Sequence, residues 1–139
     1  MKAHDSLIRS LVILVVDGEP CVRNTIACIL QYAGYHVLVA DSAAAALRVA
    51  EERREPVDLL LTDVLLDGLS GTALAEELVR RHPEIRVLFM AGLPDNPDIR
   101  ERIIGRGRAF LPKPFRAPVL LEAIRATLGA PQTRSAAGS

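Results

Sequence analysis

Three apolar runs in this sequence each lead to a charged residue. Leu11 to Val16 runs into Asp17, Val57 to Thr62 into Asp63, and Arg108 to Leu111 passes through Pro112 to Lys113. An aspartate after a strand is often only a turn residue or a cap. Two carboxylates and an ammonium on one rim have a chemistry of their own. Paired carboxylates invite a hard cation such as Mg²⁺. A cation offsets charge on phosphoryl oxygens and lets a carboxylate attack phosphorus. A lysine adds a mobile point charge for the same oxygens. The hypothesis that follows is formation of an aspartyl phosphate.

The elements around these residues must bring them together. The run Leu11 to Val16 is continuous and rich in β-branched residues, as in a strand buried on both faces. Pro20 opens a helix in which Val22, Ile26, Ile29 and Ala33 recur at helical spacing, and Gly34 is a C-cap candidate. His36 to Ala40 reads as the second strand. Ser42 can cap an Ala-rich helix from Ala43 to Arg54, which Pro56 stops. Val57 to Thr62 is the third strand, and the loop from Asp63 to Ser70 follows it. Gly71 to Arg81 reads as a helix with Leu74 and Leu78 inward, and Arg86 to Met90 as the fourth strand. A loop at Leu93 to Pro97 leads to a short helix, Asp98 to Ile104, and then to the fifth strand, Arg108 to Leu111. Ala117 to Leu128 is the last helix. Residues 1–10 read as an N-terminal extension, 11–129 as one domain and 130–139 as a disordered tail. Five βα units imply an α/β fold, a parallel sheet with helices on both faces. Such sheets carry their sites at the carboxyl ends of the strands, where Asp17, Asp63 and Lys113 fall.

Composition narrows the function classes. The 139 residues fit one domain, and 50% of them are apolar, enough for one core. Lys plus Arg and Asp plus Glu both count 17, so the formal net charge is zero. That argues against a nucleic-acid backbone as partner. With no Trp and few aromatics, a base-stacking platform is not expected. No apolar run approaches the roughly 20 residues that span a bilayer, and no signal-peptide pattern is expected at the start. Cys21 and Cys28 lie on one expected helix, about 10 Å apart, too far for a disulfide. They read as reduced thiols of a cytoplasmic protein, serving as small apolar filler.

The motifs resemble those of response regulator receiver domains, the phosphoacceptor modules of two-component signalling. Ile13-Leu14-Val15-Val16-Asp17-Gly18-Glu19-Pro20-Cys21-Val22-Arg23 is similar to the opening of these domains. Asp58-Leu59-Leu60-Leu61-Thr62-Asp63 is similar to their phosphoacceptor strand. Val87 to Gly92 and Phe110-Leu111-Pro112-Lys113-Pro114-Phe115 resemble the fourth- and fifth-strand motifs. The resemblance covers about residues 11 to 128. It implies a doubly wound sheet of order 2-1-3-4-5 with five helices. Asp63 would take a phosphoryl group from a histidine kinase or histidine phosphotransfer protein. Asp17, Asp63 and the Leu65 carbonyl would hold Mg²⁺, and Lys113 would bind the phosphoryl group. The Lys113–Pro114 bond would be cis. A single-domain response regulator of this kind is not an enzyme in its own right and signals to a downstream protein target. The face of the fourth helix and fifth strand carries Arg100, Arg102, Arg106 and Arg108, a docking candidate or simply a solvated charged surface.

The sequence departs from the family pattern at two positions. Gly18 stands where receivers have a second acid that ligates the metal. Glu19 is a candidate replacement ligand, or merely favourable charge at a helix N-terminus. Ala91 stands at the switch position where a Ser or Thr hydroxyl binds the phosphoryl group. Phe110, at the aromatic switch position, has no hydroxyl and reads as core packing. Asp67 could add an acid to the rim or sit solvated in an Asp67-Gly68 turn. Weak Mg²⁺ binding is expected. The alternative function is a pseudo-receiver, the same fold used as a phosphorylation-independent interaction module. Asp17-Gly18-Glu19 also faintly resembles the nucleophile motif of haloacid-dehalogenase-type phosphatases, but the chain is short for that fold. A dinucleotide-binding domain is disfavoured, because the turn after the first strand carries one glycine only.

Overall fold

The computed structural model describes residues 10–66, 70–92 and 109–129. Within them the chain alternates strand and helix. The strands are β1 (Val12–Val16), β2 (His36–Ala40), β3 (Leu59–Asp63), β4 (Arg86–Ala91) and β5 (Ala109–Pro112). The helices are α1 (Pro20–Tyr32), α2 (Ala43–Glu51), α3 (Gly71–Arg81) and α4 (Ala117–Gly129). All neighbouring strands are parallel, and the sheet order is β2-β1-β3-β4-β5. This is the three-layer α/β architecture expected from the motifs.

Side chains in a strand alternate between the two faces of the sheet, and the core divides accordingly. Val12, Leu14, Val16, Leu60, Val87 and Phe89 pack with Ala43, Ala46 and Ala50 of α2 and Leu74 and Leu78 of α3. Ile13, Val15, Leu59, Leu61, Leu88, Met90 and Leu111 pack with Ile26 and Leu30 of α1 and Leu120 and Ile124 of α4. Asp17 follows Ile13 and Val15 by the same step of two. Asp63 follows Leu59 and Leu61, and Lys113 follows Leu111. The period of two therefore assigns all three charged residues to the α1/α4 side.

Local chemistry sets the element ends. Ser42 caps α2 by accepting from the Ala45 amide at 3.1 Å, as its sequence position indicates. Gly34, at φ 104°, lies just past α1, where the left-handed conformation favours glycine. Its amide donates to the Gln31 carbonyl at 3.0 Å, and that of Tyr35 donates to Leu30 at 3.1 Å. Two expectations need correction. α2 ends at Glu51, not Arg54. Residue 55 precedes Pro56 and is pushed out of helical conformation. The chain then crosses to the foot of β3, where the Asp58 carboxylate accepts the Val12 amide at 2.7 Å. The cysteines are not core filler: Cys21 and Cys28 are free and exposed. Ile26 and Leu30 take the inward stripe of α1, which turns Cys21, Cys28 and Ala33 to solvent. The expected helix Asp98 to Ile104, the loop before it, Asp67, Arg100, Arg102, Arg106, Arg108 and both terminal segments lie outside the described residues. Among the described residues no helix is long and apolar enough to cross a membrane.

Candidate functional site

At the carboxyl edge of the sheet, Asp17 follows the last paired residue of β1. Val16 pairs with Thr62, so Asp17 stands level with Asp63 on the adjacent strand. Asp17 is only 1% exposed. A buried carboxylate must have its oxygens occupied. Its Oδ1 accepts the Glu19 amide at 2.9 Å, and its Oδ2 accepts Lys113 Nζ at 2.7 Å. The Asp17 amide donates to the Ala40 carbonyl at 3.2 Å.

Asp63 ends β3 with its side chain 18% exposed, which leaves it open to a reactant. Its Oδ1 accepts the Leu65 amide at 3.2 Å, and its Oδ2 accepts Lys113 Nζ at 3.0 Å. Lys113 thus bridges both acids. It reaches them from the end of β5, where its amide donates to the Ala91 carbonyl at 2.7 Å. The Lys113–Pro114 peptide is cis. Burial of the ammonium acts to lower its pKa, but the hydrogen bonds and charges of Asp17 and Asp63 outweigh burial and leave it raised.

The other expected site residues surround this triad. Gly18 is exposed, and a Cβ built on it would meet only the Asp41 carbonyl oxygen, at 4.0 Å. Glu19 is the N-cap of α1, exposed and making no side-chain cap hydrogen bond. Leu65 is 71% exposed at the mouth. Ala91 ends β4, half-buried and paired with Pro112, and presents only a methyl group. Phe110 pairs with Phe89 and packs against the α2/α3 core.

Two contributors escaped the sequence reading. Gly71, at the start of α3, comes so close to the acceptor strand that a Cβ there would lie 1.9 Å from the Asp63 carbonyl oxygen. Arg23, one turn into α1, donates from Nη1 to the Asp17 carbonyl at 2.8 Å. A glycine opening a helix and an arginine on a helix are ordinary in sequence. Their contacts are made across elements, and no local spacing announces them.

The oxygen donors here are of the kind Mg²⁺ takes, two carboxylates and a main-chain carbonyl. Gly18 adds none, and among the described residues no three His, Cys, Asp or Glu side chains gather as a metal site.

Comparison with known proteins places this geometry. The family model for the response regulator receiver domain matches residues 13–125. The chain is 34% identical over 127 residues to the sensor kinase CckA of Brucella abortus, covering 91% of this chain but only 13% of that protein. It is 31% identical over 119 residues to the response regulator receiver protein CpdR of the same organism, covering 84% of this chain and 95% of that protein. A receiver domain protein from Clostridium thermocellum superposes with a TM-score of 0.77 at 29% identity, over 85% of this chain and 94% of that one. With a parallel sheet of order 2-1-3-4-5 and the acid pair and lysine at its carboxyl edge, the chain belongs to the response regulator receiver domains of two-component systems.

Proposed function

We propose that this chain receives a phosphoryl group on Asp63 from a histidine kinase or histidine phosphotransfer protein and signals by contact with a downstream protein. The observation that carries this reading is the Lys113 ammonium held 3.0 Å from the Asp63 carboxylate in a pocket open at Asp63. An Asp63 oxygen attacks the phosphorus of the donor's phosphohistidine, and an O–P bond forms as the P–N bond breaks. The electron pair returns to the imidazole nitrogen, which takes up a proton. Lys113 needs only to turn from carboxylate to phosphoryl oxygen to follow the charge. Receiver domains as a family use Mg²⁺ for this transfer. Here Mg²⁺ binds weakly, because Gly18 offers no side-chain ligand and Glu19 points to solvent. Loss of a metal ligand weakens a site by at least the roughly 10–100-fold seen for outer-shell changes. Incubation with a phosphorylated histidine phosphotransfer protein, read by intact mass, tests the proposal. The wild type gains one phosphoryl group and Asp63→Asn gains none; an unlabelled wild type overturns it.

A second reading has specific support in Gly18 and Ala91, which remove a metal ligand and the switch hydroxyl. In it, the Lys113 bridge to Asp17 and Asp63 persists, and the domain binds its partner without phosphorylation. The same experiment separates the two, since a pseudo-receiver gains no phosphoryl group, and a partner-binding assay adds the positive mark, binding that survives in Asp63→Asn.

A further inference from the structure

The turn between β1 and α1 is short, with only Gly18 and Glu19 separating Asp17 from the helix. Glycine there loses more conformational freedom on folding than any other residue would. A Cβ at Gly18 would touch nothing nearer than the Asp41 carbonyl oxygen at 4.0 Å, so a side chain there would fit without close packing. Yet Asp17 is buried and its carboxylate must meet Lys113 at 2.7 Å. The Asp17 amide is tied to the Ala40 carbonyl at 3.2 Å and the Glu19 amide to Asp17 Oδ1 at 2.9 Å, which leaves the Asp17 carbonyl, facing the helix, as the group that a further tie can hold.

Arg23 lies on the far side of that turn. Its amide donates to the Glu19 carbonyl at 2.9 Å, and its guanidinium reaches back to the Asp17 carbonyl at 2.8 Å. One side chain therefore straps the first turn of α1 to the last residue of β1, across the glycine. It is the single charged residue of α1, and it is half-buried. A hydrogen bond from an ionised donor is among the stronger kinds. Among the described residues no hydrogen bond or ion pair joins the guanidinium to Asp63 or Lys113, so its effect on the chemistry passes through Asp17.

We infer that Arg23 is a positioning residue of the phosphoacceptor pocket: it clamps the Gly18 turn and so holds the Asp17 carboxylate against Lys113. Its effect on phosphotransfer rests on the proposed phosphoacceptor role of Asp63; its effect on the Asp17–Lys113 contact does not. The sequence contains two lysines, Lys2 and Lys113, so the side-chain resonances of Lys113 are simple to assign.

The test compares wild type, Arg23→Met, Arg23→Lys and the double variant Gly18→Ala/Arg23→Met, each as the full chain. Two readouts are taken: the Lys113 side-chain resonances, and the initial rate of phosphotransfer from a histidine phosphotransfer protein. In Arg23→Met the Lys113 signals move toward those of a free lysine, and transfer slows by about tenfold, within the range seen for misplaced catalytic groups. Arg23→Lys, which keeps a charged donor, recovers most of both. Gly18→Ala, by stiffening the turn, recovers part of both in the Met background. Unmoved Lys113 resonances in Arg23→Met overturn the inference, as does a double variant no better than Arg23→Met. If Arg23→Met does not fold, Arg23→Gln, shorter and uncharged, is compared with wild type instead: Lys113 signals moved toward those of a free lysine support the clamp, and unmoved signals refute it. If the wild type is never labelled, the phosphoacceptor reading fails, and the resonances still decide on Arg23.

Discussion

The Lys113 ammonium lies 2.7 Å from Asp17, nearer than its 3.0 Å to Asp63. The acid that is buried, and not the one that is open to a reactant, has the shorter bond to the lysine. Removing the amine then strands a carboxylate that is 1% exposed. Breaking a buried pair from one side costs about 3–5 kcal/mol. Lys113→Met is expected to lower unfolding free energy by about 3 kcal/mol, since Asp63 is partly solvated and suffers less. Asp17→Asn in the same background should recover much of that loss. Urea titration of the four combinations checks it; an additive cycle is the contrary result.

The same bridge sets a pH dependence. Lys113 has a raised pKa, the carboxylates of Asp17 and Asp63 outweighing its burial. A raised ammonium pKa means the native state binds the proton more tightly than the unfolded chain. Its contribution is complete below the unfolded value of about 10.4 and is lost as pH climbs through the higher folded value. The stability difference between wild type and Lys113→Met should hold steady from neutral pH to about pH 10 and shrink above it. Denaturation series at stepped alkaline pH measure this directly. A gap that widens in that window would contradict the bridge.

Gly71 tests how tightly the acceptor strand is framed. A methyl group there would sit 1.9 Å from the Asp63 carbonyl oxygen and 3.0 Å from the Val64 Cα, and both are backbone. The neighbouring bond from the Gly71 amide to the Val64 carbonyl, 2.8 Å, must shift as well. Overpacking of this kind costs about 1–3 kcal/mol or more. Gly71→Ala should destabilise by about 3 kcal/mol and impair phosphotransfer beyond what the lost stability explains. A variant as stable and as active as wild type would show that α3 can move away freely.

How much of this was legible in the sequence depended on the range of the interaction. The strand pattern carried the sheet, because Ile13, Val15 and Leu59, Leu61 face α1 and α4 by simple alternation. The rule that such sheets carry their sites at the carboxyl ends of the strands brought Asp17, Asp63 and Lys113 to one rim, and Lys113 does bond both acids. Ser42 and Gly34 also read correctly, since caps depend on a few neighbouring residues. What stayed hidden was contact between elements. Gly71 looked like a helix start, and its need for glycine comes from the backbone of β3. The outward facing of Cys21 and Cys28 depended on whether Ala33 or Leu30 completed the buried stripe, and both satisfy helical spacing.

Ala91 offers a test of the switch. Its side chain is a half-buried methyl at the end of β4, and the next strand delivers Lys113 from beside it. A hydroxyl at this position would donate to a phosphoryl oxygen on Asp63. Hydrogen bonds to charged groups contribute about 1.5–3 kcal/mol, and about 1.4 kcal/mol is tenfold in a two-state equilibrium. Under the proposed function, Ala91→Thr should raise the equilibrium constant of the phosphorylation-dependent switch, read from partner binding or amide resonances, by about ten- to a hundredfold. The unphosphorylated protein should barely change. An equal response in both proteins would detach position 91 from the switch.

Gly18 is the departure from the family pattern with the most direct repair. The backbone there is exposed, and a side chain would enter open space beside the Asp41 carbonyl oxygen. Gly18→Asp should therefore fold and restore a carboxylate beside Asp17. A further anionic oxygen ligand strengthens a hard-cation site, and the third acid also deepens the negative potential that Lys113 now offsets. Mg²⁺ affinity should rise by at least tenfold, the low end of what even an outer-shell change achieves. Stability without Mg²⁺ should fall, because three carboxylates crowd one ammonium, and should return on adding the ion in proportion to its occupancy. Calorimetric Mg²⁺ titration and thermal unfolding with and without the ion measure the two halves independently. If wild type already binds Mg²⁺ below millimolar concentration, Glu19 or another group supplies the ligand, and Gly18 is not what weakens this pocket.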